Sequence, residues 1–240
     1  MCSSDLAPAL ETADIAALRS SQLAGLRTAT IAALTTEGIS ALDSDQLRAL
    51  TTTQVRAIEN EDLAALGATK FAALTTAQTA ALTTAQLDAL TTAQLAAMTT
   101  AQSAALTTAQ IANLDPTSLS QLGTAAYASF TTAQAAAIQA SQVGSLQTAD
   151  LAALGTAQVR AMTTAALRAM DADQVGALTT DQLRALSVTQ IKAMEPEDLA
   201  ALGSADIGAL NTLQIAALTT TQLNALSAGR ENVLIAPDAA

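Results

Sequence analysis

The chain is 240 residues long and half of them are hydrophobic, yet only 1% are aromatic and none is His or Trp. So few rings exclude the thick, ring-rich core expected of a globular domain of this size, and no apolar run approaches the roughly 18 residues of a membrane span. A net charge of −11 with a pI near 4.2 disfavours nucleic acid and anionic membrane surfaces as partners.

Residues 1–10, MCSSDLAPAL, read as an N-terminal cap or tail. They show no basic region followed by a hydrophobic segment, so no secretory signal is expected. Cys2 is the single cysteine, which rules out an intrachain disulfide. Cys2-Ser3-Ser4-Asp5 resembles the start of a mature lipoprotein, but no lipobox precedes it and an incidental thiol is the expected reading.

From Glu11 to Leu226 the chain is one octapeptide, T-T-A-Q-L-A-A-L, in 27 copies without insertion or deletion. The least edited copies lie in Leu74–Leu114. Position 8 is always Leu, Met, Ile or Phe; position 5 is mostly Leu, Ile or Val; position 7 is nearly always Ala. Residues 11–90 align without gaps on 147–226, a duplication offset by 17 octads. Because 17 is odd, odd octads land on even ones, and no two-octad alternation is required.

A continuous helix fails on arithmetic. Eight residues at about 100° each turn about 800°, so the apolar stripe drifts about 80° per octad. Each octad must contain a break, and positions 1–4 supply it. Thr-x-x-Gln, as in Thr83-Thr84-Ala85-Gln86, is a capping box with Thr at N-cap and Gln at N3. Asp115-Pro116 and Glu195-Pro196 put Pro at the first helical residue, where its missing N–H costs least. Gly67, Gly123, Gly155 and Gly203 fall at position 1, which suits a left-handed cap on the preceding helix. Acids gather at positions 3 and 4 and bases at position 6, as the helix dipole favours.

The expected fold is therefore an all-α solenoid of about 27 short capped helices, one per octad. Helices this short are marginal alone, so stacking must stabilise them, with positions 5 and 8 as the core and position 8 the deeper. The alternative is a β-solenoid, since Thr favours strands and eight is an even period. Against it, Ala, Gln, Leu, Arg and Met favour helix, and positions 5 and 8 of a strand would face opposite ways. Between Lys70 and Asp150 no Lys or Arg occurs, and this block carries the smallest position-5 residues, Thr79, Ser103 and Ala135. After Leu226 the pattern decays through residues 227–240, a C-terminal cap or tail.

No His, a single terminal Cys and scattered carboxylates leave neither a metal cluster nor a nucleophilic triad, and no phosphate-cradling glycine motif occurs. No catalytic residue, cofactor or metal site is expected, and the chain reads as non-enzymatic. Glu59-Asn60-Glu61-Asp62 and Glu195-Pro196-Glu197-Asp198 carry enough oxygen for calcium, but acids at helix starts explain the same residues. Arg48, Arg56, Arg160, Arg168, Arg184 and Lys192, all at position 6, form a candidate partner surface. Thr76, Thr84, Thr92, Thr100 and Thr108, at position 2, are not consumed by capping and form a candidate threonine ladder.

The A-L-T-T-A-Q-[LIV]-A-A-L octads resemble repeat tracts of very large bacterial surface or secreted proteins of adhesin-like or haemolysin-like type. The resemblance implies a bacterial, extracellular or cell-surface spacer, scaffold or adhesin stalk, and carries no catalytic residue. Such an array could associate with itself at its ends; the alternatives are a solenoid that binds another protein, and an ice-binding threonine ladder.

Overall fold

The computed structural model describes residues 11–235, with side chains described as far as Ser227. The N-terminal tail with Cys2, and residues 236–240, lie outside those residues. Among the described residues there are 27 helices and no strand, from Thr12–Ala17 to Thr220–Ile235. The helical solenoid holds and the β-solenoid does not. The chain divides into two compact units, residues up to Ala126 and from Tyr127 onward.

Local chemistry makes each octad fold alike. In residues 91–98, Thr91 is the extended N-cap and its hydroxyl accepts from the Gln94 N–H at 3.3 Å. Gln94 Oε1 accepts in return from the Thr91 N–H at 2.8 Å. The Leu95 N–H then closes one helical turn on the Thr91 carbonyl, and the Met98 N–H closes the last on Leu95. Pro116 and Pro196 open their helices as the sequence requires. The corners differ from expectation. No described residue, glycine included, has a positive φ. Gly67, Gly155 and Gly203 are extended N-caps, and the preceding Leu66 is extended too. Two successive extended residues turn the chain, so no left-handed cap forms.

Helices pack on those three octads away. In the first unit Thr12–Ala17 packs on Thr36–Ala41, which packs on Asn60–Ala65, and Thr28–Ala32 packs on Thr52–Ala57. In the second unit Thr132–Ala137 packs on Thr156–Ala161, which packs on Thr180–Ala185. Three octads thus form one coil with three sides.

Three position-5 side chains share each coil's interior, and this position is the deeper one. From Ile15 to Leu199 they are at most 2% exposed, whereas position 8 reaches 8% and Leu18 and Leu26 are half-buried. The order is the reverse of that expected. Position 5 lies on the helix facing the axis; position 8 is the extended corner, at the edge of the same core. A shared thin interior also explains the small residues. Phe71 is followed one octad on by Thr79, and Tyr127 by Ala135, all four fully buried. The rings of Tyr127 and Phe130 lie 5.1 Å apart, tilted by 53°, in the geometry that favours edge contacts.

The end of the array departs from the octad. The last helix runs through Thr220–Ile235 without a corner at Ser227. The residue at position 4 of that would-be octad is Arg230 rather than Gln, so the sequence there departs from Thr-x-x-Gln.

Candidate functional site

A helix of five or six residues is nearly all termini, and its last carbonyls have no intrahelical partner. The position-4 glutamine solves this twice. Its Oε1 caps its own helix, while its Nε2 reaches the corner of the coil beneath. Gln54 donates to the carbonyls of Leu23 at 2.9 Å and Leu26 at 2.8 Å, 31 and 28 residues back. Gln78 does the same to Leu47 and Leu50 at 2.8 and 2.7 Å, and Gln94 to Leu63 and Leu66 at 2.9 and 2.5 Å. In the second unit Gln174 holds Val143 and Leu146, both at 2.8 Å, and Gln182 holds Leu151 and Leu154 at 2.9 and 2.6 Å. These side chains are buried. Each hydrogen bond of this kind contributes about 0.5–1.5 kcal/mol, and an unmade one would leave a buried carbonyl unsatisfied. The glutamine ladder sets the stacking register.

Eleven of the 27 octads carry another residue at position 4, and Gly38, Ala126 and Ala166 among them have no side-chain donor. Lys70 replaces the amide by donating Nζ to the Ser40 carbonyl at 2.5 Å. Asp62 has no N–H to give and is satisfied differently, its Oδ1 accepting from the Thr36 hydroxyl at 2.6 Å. Its duplicate, Asp198, pairs in register with Ala172 where Asp62 has Thr36. Burial raises the Asp198 carboxyl above its ordinary range, with Glu195, Asp171 and Glu197 adding repulsion. Asp150 is the least compensated. It is 4% exposed and its Oδ2 has no hydrogen-bond partner. Burial pushes its carboxyl up to about 6, against a smaller lowering from the Gln147 backbone. Burial also raises the Tyr127 hydroxyl, with the Asp150 charge adding to it. The duplicate of Asp150 is Asp14, an exposed residue of the first described octad. The duplicated acid is thus exposed in one copy and buried in the other.

The six position-6 bases are exposed but lie on different sides. With three octads per coil, Arg48 and Arg56 occupy successive sides of the first unit. In the second unit Arg160 and Arg184 share one side, and Arg168 and Lys192 another. Several serve the stack. Arg48 Nε donates to the Ala73 carbonyl at 3.1 Å, 25 residues ahead, and pairs with Asp45 at 3.2 Å. Arg184 repeats this 136 residues on, reaching Ala209 at 3.4 Å. Arg168 pairs with Glu195 at 2.5 Å. These two, with Lys192, Thr164 and Thr219, line an open groove of about 550 Å³.

The threonines of position 2 are likewise distributed. Thr76 and Thr100 share one side, Thr84 and Thr108 a second, and Thr92 the third. Thr84 is half-buried and the others are exposed. The acidic runs Glu59–Asp62 and Glu195–Asp198 sit at helix starts as read from sequence. No helix among the described residues is long and apolar enough to cross a membrane.

Short capped helices, three to a coil, bound by a buried glutamine ladder define an α-solenoid repeat protein. The family model of the ALTTAQ repeat matches residues 7–44, 31–57, 55–92, 80–116, 143–180, 151–188 and 191–228. The chain belongs to the ALTTAQ repeat family. The stretch between 117 and 142 that no match covers includes the divide between the two units and the Tyr127–Phe130 pair. No curated protein matches the chain.

Proposed function

We propose that this chain is a non-enzymatic spacer or scaffold, an array whose repeat count sets the separation of whatever flanks it, in the manner of a bacterial surface stalk. The ladder is the observation that carries the reading. The recurring buried polar side chain of the octad is committed to holding one coil on the next, so the polar chemistry that recurs in the repeat is spent on stacking. The resemblance of the octads to surface-protein repeat tracts supports an extracellular setting. The test is to flank the chain with a fluorescent donor and acceptor and to add octads in threes within the least edited stretch, residues 75–114. A spacer gives transfer efficiency that falls steadily with each added coil and a melting temperature that does not decline. Unchanged efficiency on adding coils, or a saturable small-molecule ligand that shifts the melting temperature, would overturn the reading.

A second reading, a protein-binding solenoid, draws support from the groove beside Arg168, Lys192 and Glu195. Substituting Arg168 and Lys192 by Glu should then abolish capture of a partner carrying acidic side chains. Undiminished capture would count against it.

A further inference from the structure

The last coil of the second unit leaves its stacking chemistry open. Position-5 side chains are buried from Ile15 to Leu199, yet Ile207 is half-buried, Ile215 is 36% exposed and Leu223 is 45% exposed. Leu213 beside them is 73% exposed. Ile207, Ile215, Leu218, Leu223 and Leu226 line a groove of about 240 Å³. The last rung is Gln222 on Ile191, Lys192 and Met194. No described glutamine reaches the corner carbonyls of Leu210 or Leu218. The same end therefore presents exposed apolar side chains and corner carbonyls that no described glutamine claims, at octad spacing.

We infer that this end is a docking surface for a coil of T-T-A-Q-type octads carried by another polypeptide, which would place its position-4 amides on these carbonyls and its leucines on Ile207, Ile215 and Leu223. This end is continuous with the coil-on-coil interface that runs through the unit, and it repeats the corner carbonyls and apolar position-5 side chains of that interface. A second copy of this chain is a poor occupant. Its first coil offers Asp14, Gln22 and Thr30 at position 4, one amide in three, and its position-5 residues Ile15, Leu23 and Ile31 are already buried.

The inference rests on the coil geometry and not on the spacer role, so either can fail without the other. The test uses the full chain and a labelled 48-residue probe with the sequence of residues 75–122, whose first coil presents Gln78, Gln86 and Gln94. Fluorescence anisotropy should show saturable binding. A probe carrying Gln78→Glu, Gln86→Glu and Gln94→Glu keeps its cap acceptors but loses the donors, and should bind at least about tenfold more weakly, the equivalent of one or two lost hydrogen bonds. Substituting Ile215→Glu and Leu223→Glu in the full chain, both already solvent-exposed, should weaken binding as much, and probe binding should slow hydrogen exchange in residues 203–226. Absence of saturable binding would overturn the inference. So would equal binding of the glutamate probe, indifference to the two end substitutions, or concentration-dependent dimerisation of the chain without probe.

Discussion

Replacing Gln94 by Glu isolates the donor half of the ladder. The new side chain still accepts from the Thr91 N–H, as Gln94 Oε1 does at 2.8 Å. It places an oxygen where Nε2 stood, 2.9 Å from the Leu63 carbonyl and 2.5 Å from that of Leu66. Two lost hydrogen bonds cost roughly 1–3 kcal/mol. The carboxylate is also buried, and Asp150, at the same octad position, is pushed up to about 6. A shift of that size corresponds to about 3 kcal/mol for keeping the group ionised at neutral pH. The expected loss is therefore about 4–6 kcal/mol at pH 7. The sign follows from linkage. The folded pKa is raised, so the folded state holds the proton more tightly. The charge penalty is full above the folded pKa and fades as pH falls towards the unfolded value near 4. The protonated acid can also donate one hydrogen bond, leaving about 1–2 kcal/mol of loss at acid pH. Gln94→Ala should instead lose a few kcal/mol independently of pH. Thermal melts by circular dichroism from pH 4 to 8, with hydrogen exchange at residues 59–66 and 91–98, separate the two. Equal loss in both variants at pH 7, or a Glu defect that does not shrink on acidification, would show that the Gln94 amide is not a buried donor to the coil beneath.

Three further outcomes follow from the same contacts. Asp150→Gln supplies the missing amide, and melts should show a gain of up to about 3 kcal/mol at pH 7 that shrinks towards pH 4, because burial raises the native carboxyl's pKa. Ala135→Leu overfills the interior beside Tyr127 and should cost about 1–3 kcal/mol in denaturant titrations, with Tyr127→Leu restoring part of it in the double variant. Inserting one octad, T-T-A-Q-L-A-A-L, after Leu90 should leave helix content and melting temperature near those of the parent. Inserting T-T-A-Q alone should lower both, because each glutamine beyond it would meet the wrong carbonyl.

What the sequence discloses is what eight residues decide among themselves. The Thr-x-x-Gln box, the proline at Pro116 and Pro196 and the last-turn bases are all local, and each helix forms where they place it. Non-local partners are silent in a sequence of near-identical octads. The amide half of Gln54 is spent 28 and 31 residues away, and no feature of one octad says how many make a coil. Without that number Thr79 looks like a weakened core residue, when it offsets Phe71 in a shared interior, and the position-6 bases look like one stripe when they divide among sides. The order of burial is hidden for the same reason. Position 8 keeps its apolar identity most strictly, but strictness reflects its corner role, and position 5 varies because neighbouring octads trade volume. Glutamine at position 4 in 16 of the 27 octads is a usable signal of the ladder, since one capping acceptor does not require an amide where Glu would serve equally. The glycines mislead by following a helix; two extended residues suffice for the corner.

Coils hold three octads, so that helices 24 residues apart stack on one side and helices 16 apart stand on different sides. The most direct test places spin labels at position 6 in the second unit of a Cys2→Ser chain, Arg160→Cys with Arg184→Cys for three octads, and Arg168→Cys with Arg184→Cys for two. These side chains are exposed, and their ion pairs contribute little. Stacked helices lie about 10 Å apart between axes, so the label separation should be shorter for the three-octad pair than for the two-octad pair. A separation that grows steadily with sequence distance, or a closer two-octad pair, would contradict the three-octad coil.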